Sequence, residues 1–395
     1  MRKIMFFILV MFISCQGFSQ TNLMNKKSWA YWLQNIDIQT IVKDASFELI
    51  VMDYSADGLD SDKWTQQQID SIKNSGKIPV SYISIGEAED YRYYWNSEWS
   101  SDPPSWLGPE NPDWDGNYKV RFWEEEWESI IFNYLDTIIM QGFDGIYMDI
   151  IDAYYFWSEE EGSQTYADSL MCQFIIDIRE YCDSKRGNNT FILLPQNGED
   201  VWDQENVSSS LKNDFFNAIN GIGVEDVFFI GPGDEDNPFE PDEYRIGILQ
   251  EYLLNEKQVF SVEYLTQTDK ISQFREAAAN QNFIPYVCTR SLDHLCEGIT
   301  SGIPHISADF KDDIVIYPNP ATRYLKLSFD ESEFNKDLTL SIHNLVGQLI
   351  DQMDPPEYMG NVITLDISDY QAGYYIILIS DGEASKSVKL LIIKN

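Results

Sequence analysis

Two observations in the sequence predict an α/β protein, a (β/α)8 TIM-type barrel followed by a small all-β, immunoglobulin-like sandwich. From Gln20 to Ser307, short apolar runs rich in β-branched and aromatic residues alternate with longer amphipathic stretches, the pattern of parallel βα units. From Ile316 onward the period changes to two, with turn residues between runs and no helix-period segment. The 395 residues include 11 Trp, 23 Tyr and 22 Phe, which is apolar mass enough for a large core plus a smaller one. The expected division is a signal peptide over 1–19, the barrel over 20–307, a linker over 308–315 and the sandwich over 316–395.

Eight strand-like runs stand out: Trp29–Leu33, Leu49–Tyr54, Ile78–Ser84, Gly145–Ile150, Phe191–Gln196, Gly221–Glu225, Val259–Tyr264 and Ile284–Thr289. Helices are predicted between them at 38–45, 64–75, 124–141, 165–185, 208–217, 242–255 and 269–281. The third is the clearest, because Ile130, Ile131, Tyr134, Leu135, Ile138 and Ile139 recur at helical spacing and Gly142 stops the run. Glu124, Glu125, Glu126 and Glu128 open it, where acids complement the helix dipole, so this acidic cluster is assigned to helix formation. In the C-terminal region the predicted strands are 324–329, 338–343, 362–367, 374–379 and 387–393.

Arg2 and Lys3 precede the apolar run Ile4–Ile13, and Gly17 and Ser19 follow it, as in a secretory signal peptide cleaved near Ser19. Lipid attachment at Cys15 fits less well, because Phe12-Ile13-Ser14 approaches that signal poorly. No later run reaches the roughly 20 apolar residues of a membrane span, so none is expected. Cys172 and Cys182 share one predicted helix, ten residues or ~15 Å apart, beyond the reach of a disulfide. Cys288 and Cys296 are either a bridge across a short loop or two buried thiols. The sequence shows no zinc spacing and implies no metal or cofactor.

The charge is strongly negative: 27 Lys and Arg against 65 Asp and Glu, a net of -38. Nucleic acid and anionic lipid both require clustered cations, and neither is expected as a partner on this ground. Residues 20–307 carry 18 basic and 51 acidic side chains, whereas 308–395 carry 7 and 14, so the barrel holds most of the excess. Such a surface favours a cationic partner.

In such a barrel, chemistry sits at the C-terminal ends of the strands. Acids are concentrated there: Asp53, Glu87, Asp149, Asp152, Glu225 and Glu263. Trp32, Tyr54, Tyr82, Tyr147, Asn197 and Tyr264 join them as aromatic and amide groups. Acids and aromatics without a His or Cys nucleophile or a phosphate loop point to glycosidic cleavage, which needs one carboxylic acid and one carboxylate. The stretch 85–123 holds Trp95, Trp99, Trp106, Trp114 and Trp123 among prolines, and is expected to be a long loop over the barrel mouth. Two or three of these indoles are expected only to form a hydrophobic cluster. Gly231–Pro238, with Asp234, Glu235 and Asp236, lacks calcium-loop spacing and is expected to be a flexible acidic lid.

The segments Tyr82-Ile-Ser-Ile-Gly-Glu-Ala-Glu-Asp-Tyr-Arg, Trp106-Leu-Gly-Pro-Glu-Asn-Pro, Gly116-Asn-Tyr-Lys-Val and Gly142-Phe-Asp-Gly-Ile-Tyr-Met-Asp-Ile-Ile-Asp-Ala resemble glycoside hydrolase family 114, the endo-α-1,4-polygalactosaminidase type. The resemblance spans most of 28–295. It implies a (β/α)8 enzyme cutting partially deacetylated galactosaminoglycan internally, and places the essential acids at Asp149 and Glu225. It further implies retention of configuration, with Asp149 as nucleophile and Glu225 as acid/base. Trp32, Asp53, Tyr54, Tyr82, Glu87, Tyr147, Asp152, Asn197, Glu263 and Tyr264 are then expected to bind substrate. A barrel that binds polysaccharide without cutting it, and a hydrolase of another glycan, are the alternatives. The opening Tyr317-Pro-Asn-Pro-Ala, Asn344-Leu-Val-Gly-Gln-Leu, Tyr370-Gln-Ala-Gly-Tyr-Tyr and the final Lys-Leu-Leu-Ile-Ile-Lys resemble a type A sorting domain of the type IX secretion system. That resemblance implies export to the cell surface or medium, with the secretion machinery as partner.

Overall fold

Trp29-Ala-Tyr-Trp32 (β1) and Leu49-Ile-Val-Met52 (β2) are apolar at every position and buried at every position, as expected of parallel strands covered on both faces. β1 pairs in parallel with β2, β2 with β3 (Ile78–Ser84), β3 with β7 (Gly145–Asp149), and β7 with β8 (Ile192–Pro195). A second parallel sheet runs β9 (Gly221–Glu225), β10 (Gln258–Tyr264), β11 (Ile284–Cys288). A parallel bridge between Gln196 and Gly223 joins the two sheets. The indole of Trp29 donates to the Ile284 carbonyl at 3.0 Å, bringing the first and last strands together in a barrel-like core.

The structure is a computed structural model, which describes residues 23–187 and 190–296 and, further on, strands and single positions between 315 and 394. The predicted signal peptide lies outside the described residues, as does the predicted linker except Val315, which opens a strand. The chain divides into Met1–Ile303 and Pro304–Asn395. Among the described residues no helix is long and apolar enough to cross a membrane.

The interior of the first unit is aromatic. Trp29 packs on Tyr31, Tyr147, Phe260 and Tyr286 with ring centroids 5.6–6.2 Å apart, and each such buried ring contributes roughly 1.5–3 kcal/mol. Gly223 makes this packing possible, since a Cβ there would lie 1.9 Å from the Tyr147 hydroxyl oxygen. Outside the strands run α1 (Ile38–Lys43), α2 (Gln66–Asn74), α3 (Glu125–Gln141), a short α4 (Ala153–Tyr155), α5 (Ala167–Arg186), α6 (Ser209–Ala218), α7 (Glu243–Leu254) and α8 (Thr268–Gln281). The α3 helix ends at Gly142, whose φ of 93° is the left-handed conformation that glycine adopts without penalty. Its Trp127 is fully buried and donates to the Ile85 carbonyl at 2.9 Å.

Residues 87–120 are not a loop without structure of its own, as the proline and tryptophan content suggested. They form an antiparallel sheet of β4 (Glu87–Glu89), β5 (Leu107–Glu110) and β6 (Asn117–Val120), in the order β4-β6-β5. Trp95, Trp99 and Trp106 contact one another edge to face and reach Trp127, which pins this sheet to α3. Trp123 packs on Trp157. Trp114, 60% exposed, is the single indole of the five turned to solvent.

The C-terminal unit is all-β in its described part. β12 (Val315–Tyr317), β13 (Tyr324–Ser328) and β16 (Val362–Asp366) make one antiparallel sheet. β15 (Leu349–Met353), β14 (Thr339–Asn344), β17 (Gly373–Ser380) and β18 (Ser385–Ile392) make another. One apolar cluster draws Leu325 and Leu365 from the first sheet and Leu340, Ile377 and Leu390 from the second. β15 was not anticipated, because Leu349 and Ile350 are adjacent and both exposed, which breaks the two-residue period.

Candidate active site

One backbone device recurs at the ends of three neighbouring strands. The residues after β7 and β9, Ile150 and Asp226, have φ of 61° and 52°, and Asn197, two past β8, has φ of 55°. For a β-branched residue such as Ile150 this conformation is strained, and strain of this kind gathers at functional sites. It turns the Ile150 amide onto Oδ1 of Asp149 at 2.8 Å. Gly86 gives the turn its room, since a Cβ there would lie 2.1 Å from the Ile150 carbonyl oxygen.

Asp149 closes β7 and takes a second hydrogen bond, from the Tyr82 hydroxyl to Oδ2 at 2.7 Å. Enclosure by protein and the charge of Glu225 nonetheless push its carboxyl up to about 8. Glu225 closes β9 and is held differently. Its Oε2 accepts from Gln196 Nε2 at 2.6 Å and Asn197 Nδ2 at 3.0 Å, and its Oε1 accepts from the Tyr264 hydroxyl. Burial keeps both phenols protonated, Tyr82 and Tyr264 being raised well above the usual tyrosine range, so each remains a donor.

Beside Glu225 opens a cavity of about 410 Å³. Asp152, Glu199, Asp200, Glu225 and Asp226 line it together with Asn197, Tyr244 and Arg245. Most of these acids are engaged. Glu199 pairs with Arg245, Asp226 with Arg290 at 2.9 Å, and Asp200 accepts from the Tyr154 hydroxyl at 2.7 Å. Asp152 is exposed, and among the described residues no other side chain donates to its carboxylate or forms an ion pair with it.

Of the twelve residues predicted from sequence, Asp149 and Tyr82 come together, as do Glu225, Asn197 and Tyr264, and Asp152 lines the cavity. The others are placed away from solvent. Asp53 is buried in an ion triad, meeting Arg92 at 2.8 Å while Arg92 also meets Glu89 at 2.7 Å. Tyr54 is enclosed against Tyr134. Glu87, fully buried, accepts from Lys119 at 2.6 Å and Asn111 at 2.9 Å. Tyr147 fills the core, Glu263 is buried with Oε1 on the Phe228 amide at 2.7 Å, and the Trp32 indole donates to the Gln34 carbonyl. Strand-end position located these groups; which way each side chain points depends on packing partners far away in sequence.

Gln196, Tyr31 and Arg245 were not singled out. Gln196 closes a predicted strand, but as a neutral amide at the end of an apolar run it carries no sequence signal of its own. Tyr31 lies two residues from Trp29 and so shares its inward face. Arg245 stands three residues after Asp242, whose side chain caps α7 by accepting from the Tyr244 and Arg245 amides.

The segment 231–238 is tied down and not a free lid. Asp236 accepts from the backbone of Thr266 and Gln267, and Asn237 exchanges hydrogen bonds with Gly233 at 2.8–2.9 Å. Cys288 and Cys296 are bonded, with Cα atoms 5.5 Å apart, while Cys172 and Cys182 are free and buried. The sulfurs of that bridge and His294 form the one group of three metal-type ligands among the described residues, and sulfurs bonded to each other are not thiolates.

Cleavage of a glycosidic bond requires paired carboxyl groups of this kind. The chain belongs to glycoside-hydrolase family GH114, whose model matches residues 15–302, and is therefore a glycosidase. Residues 315–394 match the model of a secretion system C-terminal sorting domain. An uncharacterized protein of Methanocaldococcus jannaschii is 42% identical over 276 residues, covering 68% of this chain and 77% of its own. An uncharacterized protein of Thermotoga maritima is 35% identical over 320 residues, covering 76% and 94%. In fold the first unit is similar to Aspergillus fumigatus Ega3, solved with galactosamine, at a TM-score of 0.51 and 15% identity over 71% of this chain and 97% of that one. It is likewise similar to the glycoside hydrolase domain of PelA from Pseudomonas aeruginosa, at 0.50 and 14% over 70% and 98%.

Proposed function

We propose that this enzyme is an endo-acting, retaining hydrolase of partially deacetylated α-1,4-galactosaminoglycan, working through Asp149 and Glu225 on a closed (β/α)8 barrel. The observation that carries the reading is the pair itself: two carboxyls at nearby strand ends, each fixed by a phenol, and close enough for the charge of Glu225 to raise Asp149. In the first step an Asp149 oxygen bonds to the anomeric carbon as the glycosidic bond breaks, and Glu225 gives its proton to the departing oxygen. In the second, Glu225 takes a proton from water, whose oxygen displaces Asp149 and leaves a reducing end. A protonated substrate amine would find Asp152 open and the remaining cavity acids electrostatically favourable.

The donor inventory favours a second division of roles. Glu225 accepts from three side chains, whereas Asp149 is the carboxyl that burial and the charge of Glu225 raise to about 8. On this ground Glu225 would attack and Asp149 would supply the proton. Azide added to the alanine variants decides between them. The variant lacking the nucleophile yields the glycosyl azide of inverted configuration, and the variant lacking the acid/base yields the retained one.

The proposal as a whole is tested with acetylated and deacetylated polymer, products being read by mass spectrometry. Asp149→Asn and Glu225→Gln are expected to abolish oligosaccharide release, and salt is expected to weaken binding of the deacetylated polymer more. Full product release by both variants would overturn the assignment. The C-terminal unit is proposed to be an immunoglobulin-like type IX sorting domain that directs the enzyme to the cell surface or medium.

A further inference from the structure

We propose that Gln196 is a positioning residue for Glu225, a neutral amide that serves this carboxyl in both protonation states of an acid/base catalyst. The inference rests on the reading of Glu225 as that catalyst. Gln196 stands where the two parallel sheets meet, bridged to Gly223, with its amide N–H on the Met148 carbonyl at 2.8 Å. Its side chain is 3% exposed and spans two partners. Nε2 donates to Glu225 Oε2 at 2.6 Å, and Oε1 accepts from the Tyr31 hydroxyl at 3.1 Å.

Asn197 touches the same carboxylate oxygen but is locked. Its Oδ1 accepts from the Glu225 backbone amide at 3.0 Å and from Arg245 Nη2 at 3.5 Å, and neither donor can become an acceptor. Gln196 carries no such lock, because its other partner is a phenol, which either donates or accepts. With Glu225 ionised, the amide stands as observed. With a proton on Oε2, a half-turn of the amide brings Oε1 to that proton while Nε2 donates to the Tyr31 oxygen. Both charge states are thereby matched by rotation of one amide and one hydroxyl, with no change of backbone. The other ionisable groups facing Glu225 are Asp149 and Tyr147 from β7, Tyr264 from β10, Arg245 from α7, Asp226 beside it and Arg290 after β11.

The experiment compares pH profiles of hydrolysis of partially deacetylated galactosaminoglycan for the parent, Gln196→Met and Tyr31→Phe. Titration of the substrate amines is common to all three and cancels. Gln196→Met keeps length but not hydrogen bonding. It is expected to lower kcat at least tenfold with KM nearly unchanged, and to move the limb reporting Glu225 up by about one pH unit, because the charge-assisted bond lost from the ionised form is stronger than the neutral bond lost from the protonated form. Tyr31→Phe leaves the amide unanchored and is expected to move the same limb less. If Gln196→Met does not fold, the Tyr31→Phe profile decides alone. An unmoved limb overturns the inference, since a purely structural role would lower activity without moving it. Glu225→Gln is run in parallel: retained activity there defeats the acid/base reading itself, whereas an inactive Glu225→Gln beside an unmoved Gln196→Met limb defeats this inference only.

Discussion

The hydroxyl of Tyr82 donates to Oδ2 of Asp149 at 2.7 Å, across paired strands in which Ser84 of β3 lies opposite Asp149 of β7. This bond favours the ionised carboxylate, while enclosure and Glu225 oppose it and hold the group at about 8. Tyr82→Phe removes the favourable contribution alone. A charge-assisted hydrogen bond of about 1.5–3 kcal/mol corresponds to roughly one to two pH units. The pH–rate limb belonging to Asp149 is expected to rise by about that much, as read from kcat/KM between pH 5 and 10.

Glu263 bears on stability more than on turnover. Burial raises its carboxyl to about 8 from the ordinary value of 4.5. Since the folded state binds the proton more tightly, this stabilisation is fully present below about 4.5 and is lost as pH rises to 8. Glu263→Gln keeps an oxygen for the Phe228 amide and carries no charge. It is expected to stabilise the protein by roughly 2 kcal/mol at pH 7 and to flatten the pH dependence of urea unfolding across that window.

The tryptophans of 95–123 separate by exposure. Trp106→Ala empties a fully buried site and is expected to cost about 3–5 kcal/mol. Trp114→Ala is expected to leave thermal stability within about 0.5 kcal/mol. Any role of this exposed indole as a sugar platform would then show as weaker binding of long chains in affinity electrophoresis, with short oligosaccharides unaffected.

The Cys288–Cys296 bridge closes a loop of eight residues' separation that carries Arg290. Arg290 lies 4.1 Å over the Tyr264 ring and pairs with Asp226, and Tyr264 in turn donates to Glu225. Replacing both cysteines by serine is expected to cost about 2.5 kcal/mol from loop entropy. Dithiothreitol should produce the same loss in the parent and none in the variant.

Strand and helix order were legible because parallel strands buried on both faces leave unbroken apolar runs, and α3 repeats its apolar residues over several turns. The acids at strand ends were legible by position. Their orientation was not: Asp53 and Glu263 obey the same sequence rule as Asp149, yet Arg92 and the Phe228 amide draw them inward. The 87–120 sheet was hidden because its strands are three or four residues long, too short for alternation to register. Gln196 was hidden because a lone amide carries no distinctive chemistry until Tyr31 and Glu225 flank it.

The Asp53–Arg92–Glu89 triad limits how this enzyme can be redesigned. Arg92 belongs to the segment inserted after β3, whereas Asp53 belongs to the end of β2, so the insertion supplies the counter-charge for a carboxylate in the scaffold beneath it. Exchanging the segment for one without an arginine at this place would strand Asp53 without a cation, and breaking a buried pair costs about 3–5 kcal/mol. The insertion is therefore a keystone and not a swappable module: chimeras that graft residues 87–120 must carry Arg92 with them, or replace Asp53 by an uncharged residue in the same step.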